Sequence, residues 1–179
     1  LYGVNGAAGL DILDLTDPAQ PVPLGAYSTN TPASLRGVTV AGPYAYVTDL
    51  MKGILRVIDV SDPAQPRLVA IKDGLDDAQA PWIASNLVCV ASAYCGPTFI
   101  DISDIPRLPV LARYRLAGDA RSVAVEGGRA YVATAHDGLH VIDVSDPAAP
   151  RELGAAEWRA GIWEISAVGD YAYVADGYD

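Results

Sequence analysis

"GLHVIDVSDPAAP", residues 138–150, reads as one β-strand followed by one turn. Successive side chains alternate across a strand, so Leu139 and Val141 face one way and His140, Ile142 and Val144 the other. Both faces are apolar. A strand written this way is expected to be covered on both sides, because a half-exposed sheet keeps one face polar. The tail Ser-Asp-Pro turns the chain: Asp accepts amide hydrogen bonds within the turn and Pro presets φ at the next position.

The same phrase stands at 9–21 (GLDILDLTDPAQP), at 53–66 (GILRVIDVSDPAQP) and, altered, at 96–109 (GPTFIDISDIPRLP). Its first Asp falls at Asp14, Asp59, Asp101 and Asp143, at intervals of 45, 42 and 42. Gly42, Ser85, Gly127 and Gly169 keep the same beat, at 43, 42 and 42. Periods of this size mark stacked or radial repeats. Each unit has four strand-like segments rich in Val, Ile, Tyr and Thr, punctuated by Gly, Pro, Asp and Ser. No helical spacing is sustained. A small four-stranded sheet covered on both faces needs a neighbour on each side, which is the geometry of a propeller blade. The fold predicted is all-β: a β-propeller of four-stranded antiparallel blades with repeats of about 42 residues. Blades are expected at 35–73, 78–116 and 119–158, with partial blades at 1–28 and 161–179.

The third unit departs from the pattern. Asp104-Ile105-Pro106 replaces Asp-Pro, so that turn is expected to differ. "AQAPWIA" (78–84) stands in place of the innermost strand, where Pro81 is expected to interrupt the ladder. At the ends, "LYGVNG" (1–6) and "YAYVADGYD" (171–179) both align with a second strand. Tyr2 and Tyr173 are equivalent positions, 171 residues or four repeats apart. Two readings follow: a fragment of a larger propeller of about six to eight blades, or a four-bladed ring closed by joining the ends. The surplus second strand, and a chain opening on Leu1 instead of Met, favour the fragment. An open fragment exposes apolar blade faces and strand edges.

The strings "YAYVAD", "GLxVIDVSDPAxP" and the "VAVxG" strand resemble the LVIVD repeat family. The resemblance implies a β-propeller, found mostly in bacterial and archaeal proteins of the cell envelope or exterior. It brings no catalytic motif.

Composition narrows the function classes. Lys and Arg number 12 against 22 Asp and Glu, a net charge of −10. That balance argues against nucleic acid or an anionic membrane surface, both of which attract basic patches. No apolar run reaches the length of a membrane span. Two cysteines, Cys89 and Cys95, are too few for a secreted disulfide scaffold. A bridge between them requires the loop after Cys89 to fold back, and the sequence leaves both states open.

Asp14, Asp59, Asp101 and Asp143 recur once per unit. They are expected to be buried in mid-strand and satisfied by backbone or hydroxyl partners, as scaffold and not as a ring of metal ligands. Tyr46, Cys89, Tyr131 and Tyr173 are equivalent on the second strand and are expected to pack blade against blade. Cys89 is then a small apolar core residue.

Ligands are expected on the rim made by the loops from second to third strand and from fourth strand to the next blade. Arg36 and Arg121, placed before the inner strand and toward the central channel, are the binding candidates, with Trp82 and Trp163. A weaker alternative is a metal at His136 and Asp137 with Asp49, Asp119 or Asp176, although their spacing matches no known metal motif. His140 alternates with Asp11, Arg56 and Thr98 between repeats, which predicts an exposed strand end. No nucleophile elbow, zincin helix, phosphate loop or calcium loop is present, and nothing calls for a cofactor.

The function expected is a non-catalytic binding or scaffold module. A protein or carbohydrate would meet it at the rim, with the remaining blades of a parent chain as further partners. The alternatives are an enzyme or metal site supported on the loop rim, and a purely structural segment of a large surface protein.

Overall fold

The structure, a computed structural model, describes residues 1–6, 9–158 and 161–177. The described residues are strand, turn and loop, with no helix. β1 (Tyr2–Asn5), β2 (Gly9–Asp14) and β3 (Val22–Ser28) form a three-stranded sheet. β4 (Leu35–Ala41), β5 (Tyr44–Asp49), β6 (Ile54–Asp59) and β7 (Arg67–Lys72) form a four-stranded one. So do β8 (Ala78–Ala84), β9 (Leu87–Ser92), β10 (Thr98–Asp101) and β11 (Val110–Arg113). The next four-stranded sheet joins β12 (Ala120–Glu126), β13 (Arg129–Thr134), β14 (Leu139–Asp143) and β15 (Arg151–Ala156). β16 (Ile162–Val168) and β17 (Tyr171–Asp176) make a two-stranded sheet. Within every sheet, chain neighbours pair antiparallel.

Innermost strands β4, β8, β12 and β16 follow one another in space, each touching the next. Four apolar clusters lie between consecutive sheets. The alternation of side chains decides which residue joins which cluster. On β5, Ala45 and Val47 face back toward Leu10 and Ile12 of the first sheet. Tyr46 faces forward, into the cluster that holds Leu75 of the connecting loop and Val88 and Ile100 of the next sheet. On β9 the same rule sends Val88 and Val90 back and Cys89 and Ala91 forward. A fourth cluster joins Ala124 and Ala133 to Ile162, Ile165 and Ala167. The two-faced apolar strand of the repeat is the direct cause: each four-stranded sheet is core on both sides.

The recurrent phrase forms a strand end and a double turn. Asp14, Asp59, Asp101 and Asp143 are the last residues of β2, β6, β10 and β14, and each is half-buried. They are therefore neither mid-strand nor fully buried, because the chain leaves the sheet at these positions. Their carboxylates accept the amide two residues on: Thr16 at 2.8 Å, Ser61 at 3.0 Å, Ser103 at 2.8 Å and Ser145 at 3.0 Å. The hydroxyls of Thr16, Ser61 and Ser145 donate to the same oxygens at 2.6 Å. These bonds hold all four carboxyls below the usual range. Asp143, with Arg151 added to the Ser145 bonds, lies lowest, at about 2.

The second Asp of the phrase repeats the device. Asp17, Asp62 and Asp146 each accept the amide two residues on at 3.0 Å. Their carbonyls also accept the amide three residues on at 3.0 Å, closing a turn with Pro at its second position. Gly138 opens the phrase at φ +90°, and a Cβ there would sit 2.2 Å from the Ala156 carbonyl of β15. Only glycine fits so close to the neighbouring strand.

The third sheet differs from its neighbours in two ways. The Asp104 carbonyl accepts both the Arg107 amide, at 3.1 Å, and the Leu108 amide, at 2.8 Å. This makes a longer turn than the Asp-Pro copies have. Pro81 does not break the inner strand: β8 runs through it, and Pro81 pairs with Val90 just after a bulge. An innermost strand is a sheet edge, where a missing amide donor is tolerated.

The four β5-type strands show a reciprocal change of volume. Tyr46 stands opposite Thr39, Tyr131 opposite Ala124, and Tyr173 opposite Ser166. In the third sheet Cys89 stands opposite Trp82. The bulky ring has moved from the second strand to the first. Cys89 is fully buried, and burial pushes its thiol pKa up. It is not bridged to Cys95, whose Sγ lies 3.0 Å from Asp76 Oδ2 and donates to it.

Candidate functional site at the channel mouth

Each inner strand carries a bulge near its start. The register slips between Leu35 and Val38 on β4, between Ala78 and Pro81 on β8, between Ala120 and Ser122 on β12, and between Ile162 and Glu164 on β16. In each case the inner strand holds one residue more than its partner over the same span. On β12 the inserted residue is Arg121, and on β16 it is Trp163. Arg36 and Gln79 lie in the corresponding two-residue bulges of β4 and β8. Bulges re-aim side chains at strand ends. Here four of them do so at one repeat position.

The result is a single cavity of about 530 Å³ lined by Arg36, Gln79, Ala80, Arg121, Ser122, Trp163 and Glu164, with Leu50 from the loop after β5. Arg36, Arg121 and Trp163 are thus brought together at the mouth, within strands β4, β12 and β16 and not ahead of them. The Arg121 guanidinium lies 3.9 Å above the centre of the Trp163 ring. Such a stack fixes the plane of the guanidinium while leaving its N–H edge free. Trp163 is 53% exposed. Gly177 closes in on its pyrrole side, where a Cβ would come 2.2 Å from Nε1.

Among the described residues, Arg36 and Arg121 make no salt bridge and no side-chain hydrogen bond. Of the other arginines, Arg56 pairs with Asp49 at 2.8 Å, Arg67 with Asp59 at 3.0 Å and Arg151 with Asp143 at 2.8 Å, whereas Arg115 and Arg129 also make no such bond among the described residues.

Trp82 is not at the mouth. It is partly buried, packed against the cluster containing Cys89, Phe99 and Val123 and against that of Ala124 and Ile165. Its register opposite Cys89 puts it there. Gln79, by contrast, stands at the mouth in the position equivalent to Arg36 and Arg121. The period alone, 43 residues after Arg36 and 42 before Arg121, identifies it.

The residues of the metal alternative do not form a ligand set among the described residues. His136 and Asp137 are exposed in the loop after β13, where the Asp137 amide donates to Thr134 Oγ1 at 3.0 Å. Asp49 is buried with Arg56, their side chains 0% and 5% exposed. Burial alone would raise its pKa, but the Arg56 bond and the Ser34 and Lys52 amides outweigh it and hold the carboxyl below its usual value. Asp176 accepts from Trp158 Nε1 at 2.9 Å. Asp119 contributes its carbonyl to the Ala135 amide. Among the described residues, no three His, Cys, Asp or Glu side chains converge to hold a metal. His140 is not at an exposed strand end: its side chain is mostly buried, with Nδ1 2.7 Å from Glu152 Oε1. Of the rim loops, the parts at 159–160 and 178–179 lie outside the described residues.

Radially packed four-stranded sheets around inner strands that share one mouth define a β-propeller, here built from tandem repeats. The LVIVD repeat model matches residues 2–29, 34–73, 117–156 and 162–179. The chain belongs to the LVIVD repeat family. The third sheet, with its displaced ring and longer turn, falls between the second and third of these matches.

Among solved structures, the computationally designed Ika8 protein superposes with a TM-score of 0.73 at 11% identity, over 98% of this chain and 52% of its own. The Cps50 (Swd1) beta-propeller domain of Myceliophteria thermophila does so at 0.72 and 12% identity, over 92% and 58%. The designed Ika4 protein gives 0.68 at 10% identity, over 80% and 86%. The chain therefore spans about half the length of Ika8 and under two thirds of the Cps50 domain. These likenesses concern the fold. A comparison with curated proteins found no match.

Proposed function

We propose that this chain is a non-catalytic binding module, part of a larger β-propeller of the cell envelope or exterior, and that the channel mouth receives a protein partner. One observation carries the reading: four equivalent bulged positions deliver Arg36, Gln79, Arg121 and Trp163 to a single cavity. Arg121 stacks on Trp163, but neither its guanidinium nor that of Arg36 makes a hydrogen bond or salt bridge among the described residues. What sets them apart from other unpaired arginines, such as Arg129, is that the bulges bring the two into one cavity. Further blades of a parent chain are the second proposed partner. The exposed face of β17 supports this, since its Tyr173 has the position that Tyr46 occupies in the core.

The test is capture from a cell-envelope extract by the immobilised chain, with partners identified by mass spectrometry. Arg121→Ala and Trp163→Ala are expected to abolish the specific capture. Arg129→Ala, on the exposed far end of β13, is expected to leave it unchanged. Identical capture by all three variants would remove the mouth as the binding site.

A further inference from the structure

We propose that the mouth recognises carboxylates, and that its ligand is an acidic peptide segment of the partner. The inference rests on the mouth being the binding site and deepens that reading. Over the whole chain, acidic residues outnumber basic ones 22 to 12. At the mouth the balance reverses: Arg36 and Arg121 face a single Glu164. The cavity is therefore a local basic spot in an acidic molecule. At about 0.15 M salt, fields beyond about 8 Å are screened, so groups in contact with the ligand decide its sign and the distant net charge does not.

The geometry of Arg121 favours carboxylate over a general anion contact. Its guanidinium is planar and already held against Trp163 at 3.9 Å. A pre-oriented fork loses little freedom when it takes up two carboxylate oxygens side by side. The same stack disfavours a sugar. One face of the Trp163 ring is covered by Arg121, and Gly177 crowds its pyrrole side. The ring therefore acts as a rest for the arginine. Gln79 adds an amide that donates to a second oxygen or to the peptide backbone, and Leu50 supplies an apolar wall. Glu164 is the opposing charge, which sets a limit on how tightly an acidic segment binds.

The experiment is isothermal titration of the whole chain with hexaglutamate, with a neutral hexapeptide of Gly and Ser, and with an oligogalacturonate. Hexaglutamate is expected to bind and the neutral peptide not. The double variant R36Q/R121Q is expected to weaken hexaglutamate by at least about tenfold, while R129Q has no effect. E164Q is expected to tighten it by about two- to threefold. Thermal melting of each variant reports folding, and the E164Q arm reads the site even if the double variant is unstable.

Failure of hexaglutamate to bind, or equal binding by R36Q/R121Q and wild type, would overturn the proposal. So would oligogalacturonate binding more tightly than hexaglutamate, which would make the ligand an acidic glycan. Loss of protein capture by Arg121→Ala without any hexaglutamate binding would overturn the carboxylate alone and leave the mouth as the site.

Discussion

Tyr46 and Tyr173 are the same residue at the same position of two repeats, yet one is 2% exposed and the other 61%. Both stand on a second strand, opposite a small residue of the first: Thr39 for Tyr46, Ser166 for Tyr173. The difference lies outside their own sheets. Tyr46 has the sheet of β8–β11 in front of it, and its ring fills the wedge against Leu75, Val88 and Ile100. Tyr173 has no sheet in front of it in the described structure. Around it Val168 and Tyr171 are also exposed, at 63% and 71%. Burial in this fold is thus a property of the pair of blades, as expected for repeats whose stability is a sum of intrinsic and neighbour contributions.

The largest expected effect comes from breaking that pair directly. Tyr46→Ala should cost about 3–5 kcal/mol by removing a buried ring, whereas Tyr173→Ala should stay within about 0.5 kcal/mol, as for other exposed positions. Urea unfolding of the two variants checks this. Equal losses would mean that the β17 face is covered in solution.

A second prediction sharpens the comparison at the sheet that exchanges the two volumes. Cys89→Tyr alone should overpack the cluster around Phe99 and Val123, at a cost of about 1–3 kcal/mol. Trp82→Ala alone should remove the partly buried ring and cost up to about 3 kcal/mol. Together they rebuild the arrangement of the neighbouring sheets, so the double variant should fall short of the sum by at least about 1 kcal/mol. Additive losses in a double-mutant cycle would show that the two residues do not share one space.

A third, smaller effect concerns pH. Asp143 has its folded pKa depressed from 3.8 to about 2 by the Ser145 bonds and then Arg151. A depressed carboxylate contributes stability that is present above the unfolded value and lost as pH falls through the folded one. Asp143→Asn should therefore lower the melting temperature at pH 7, and the gap to wild type should close between about pH 4 and pH 2. A gap independent of pH would contradict this assignment.

The smallest change is in thiol chemistry. Cys95 is partly exposed and Cys89 is buried, so a thiol reagent should modify one residue in the folded chain and two after unfolding. The Cys95 reaction should be slower than that of an ordinary free thiol, because the hydrogen bond to Asp76 raises its pKa. Two fast thiols in the folded state would place Cys89 outside the core.

Much of this was readable in the amino-acid order because the signals are local. Two-faced strands and Asp-Pro turns come from a few neighbouring residues, and the period then multiplies them into a β-propeller. The equivalence of Arg36, Arg121 and Trp163 follows from the same count, as does that of Gln79, which the count also contains. Trp82 shows where local reading stops. Its packing against two apolar clusters depends on standing opposite Cys89, a matter of cross-strand register. The bulges that turn the four mouth residues into one cavity are register effects too. The half-burial of Asp14, Asp59, Asp101 and Asp143 depends on where each strand ends, which their alternating neighbours do not reveal.

The mouth, and not Trp82 or the His136 loop, is proposed to meet the partner. The most direct measurement is a nitrogen–proton spectrum of the tryptophan indoles during titration with the captured partner. The Trp163 indole is expected to shift and saturate while that of Trp82 stays in place. A moving Trp82 with a stationary Trp163 would contradict the proposal.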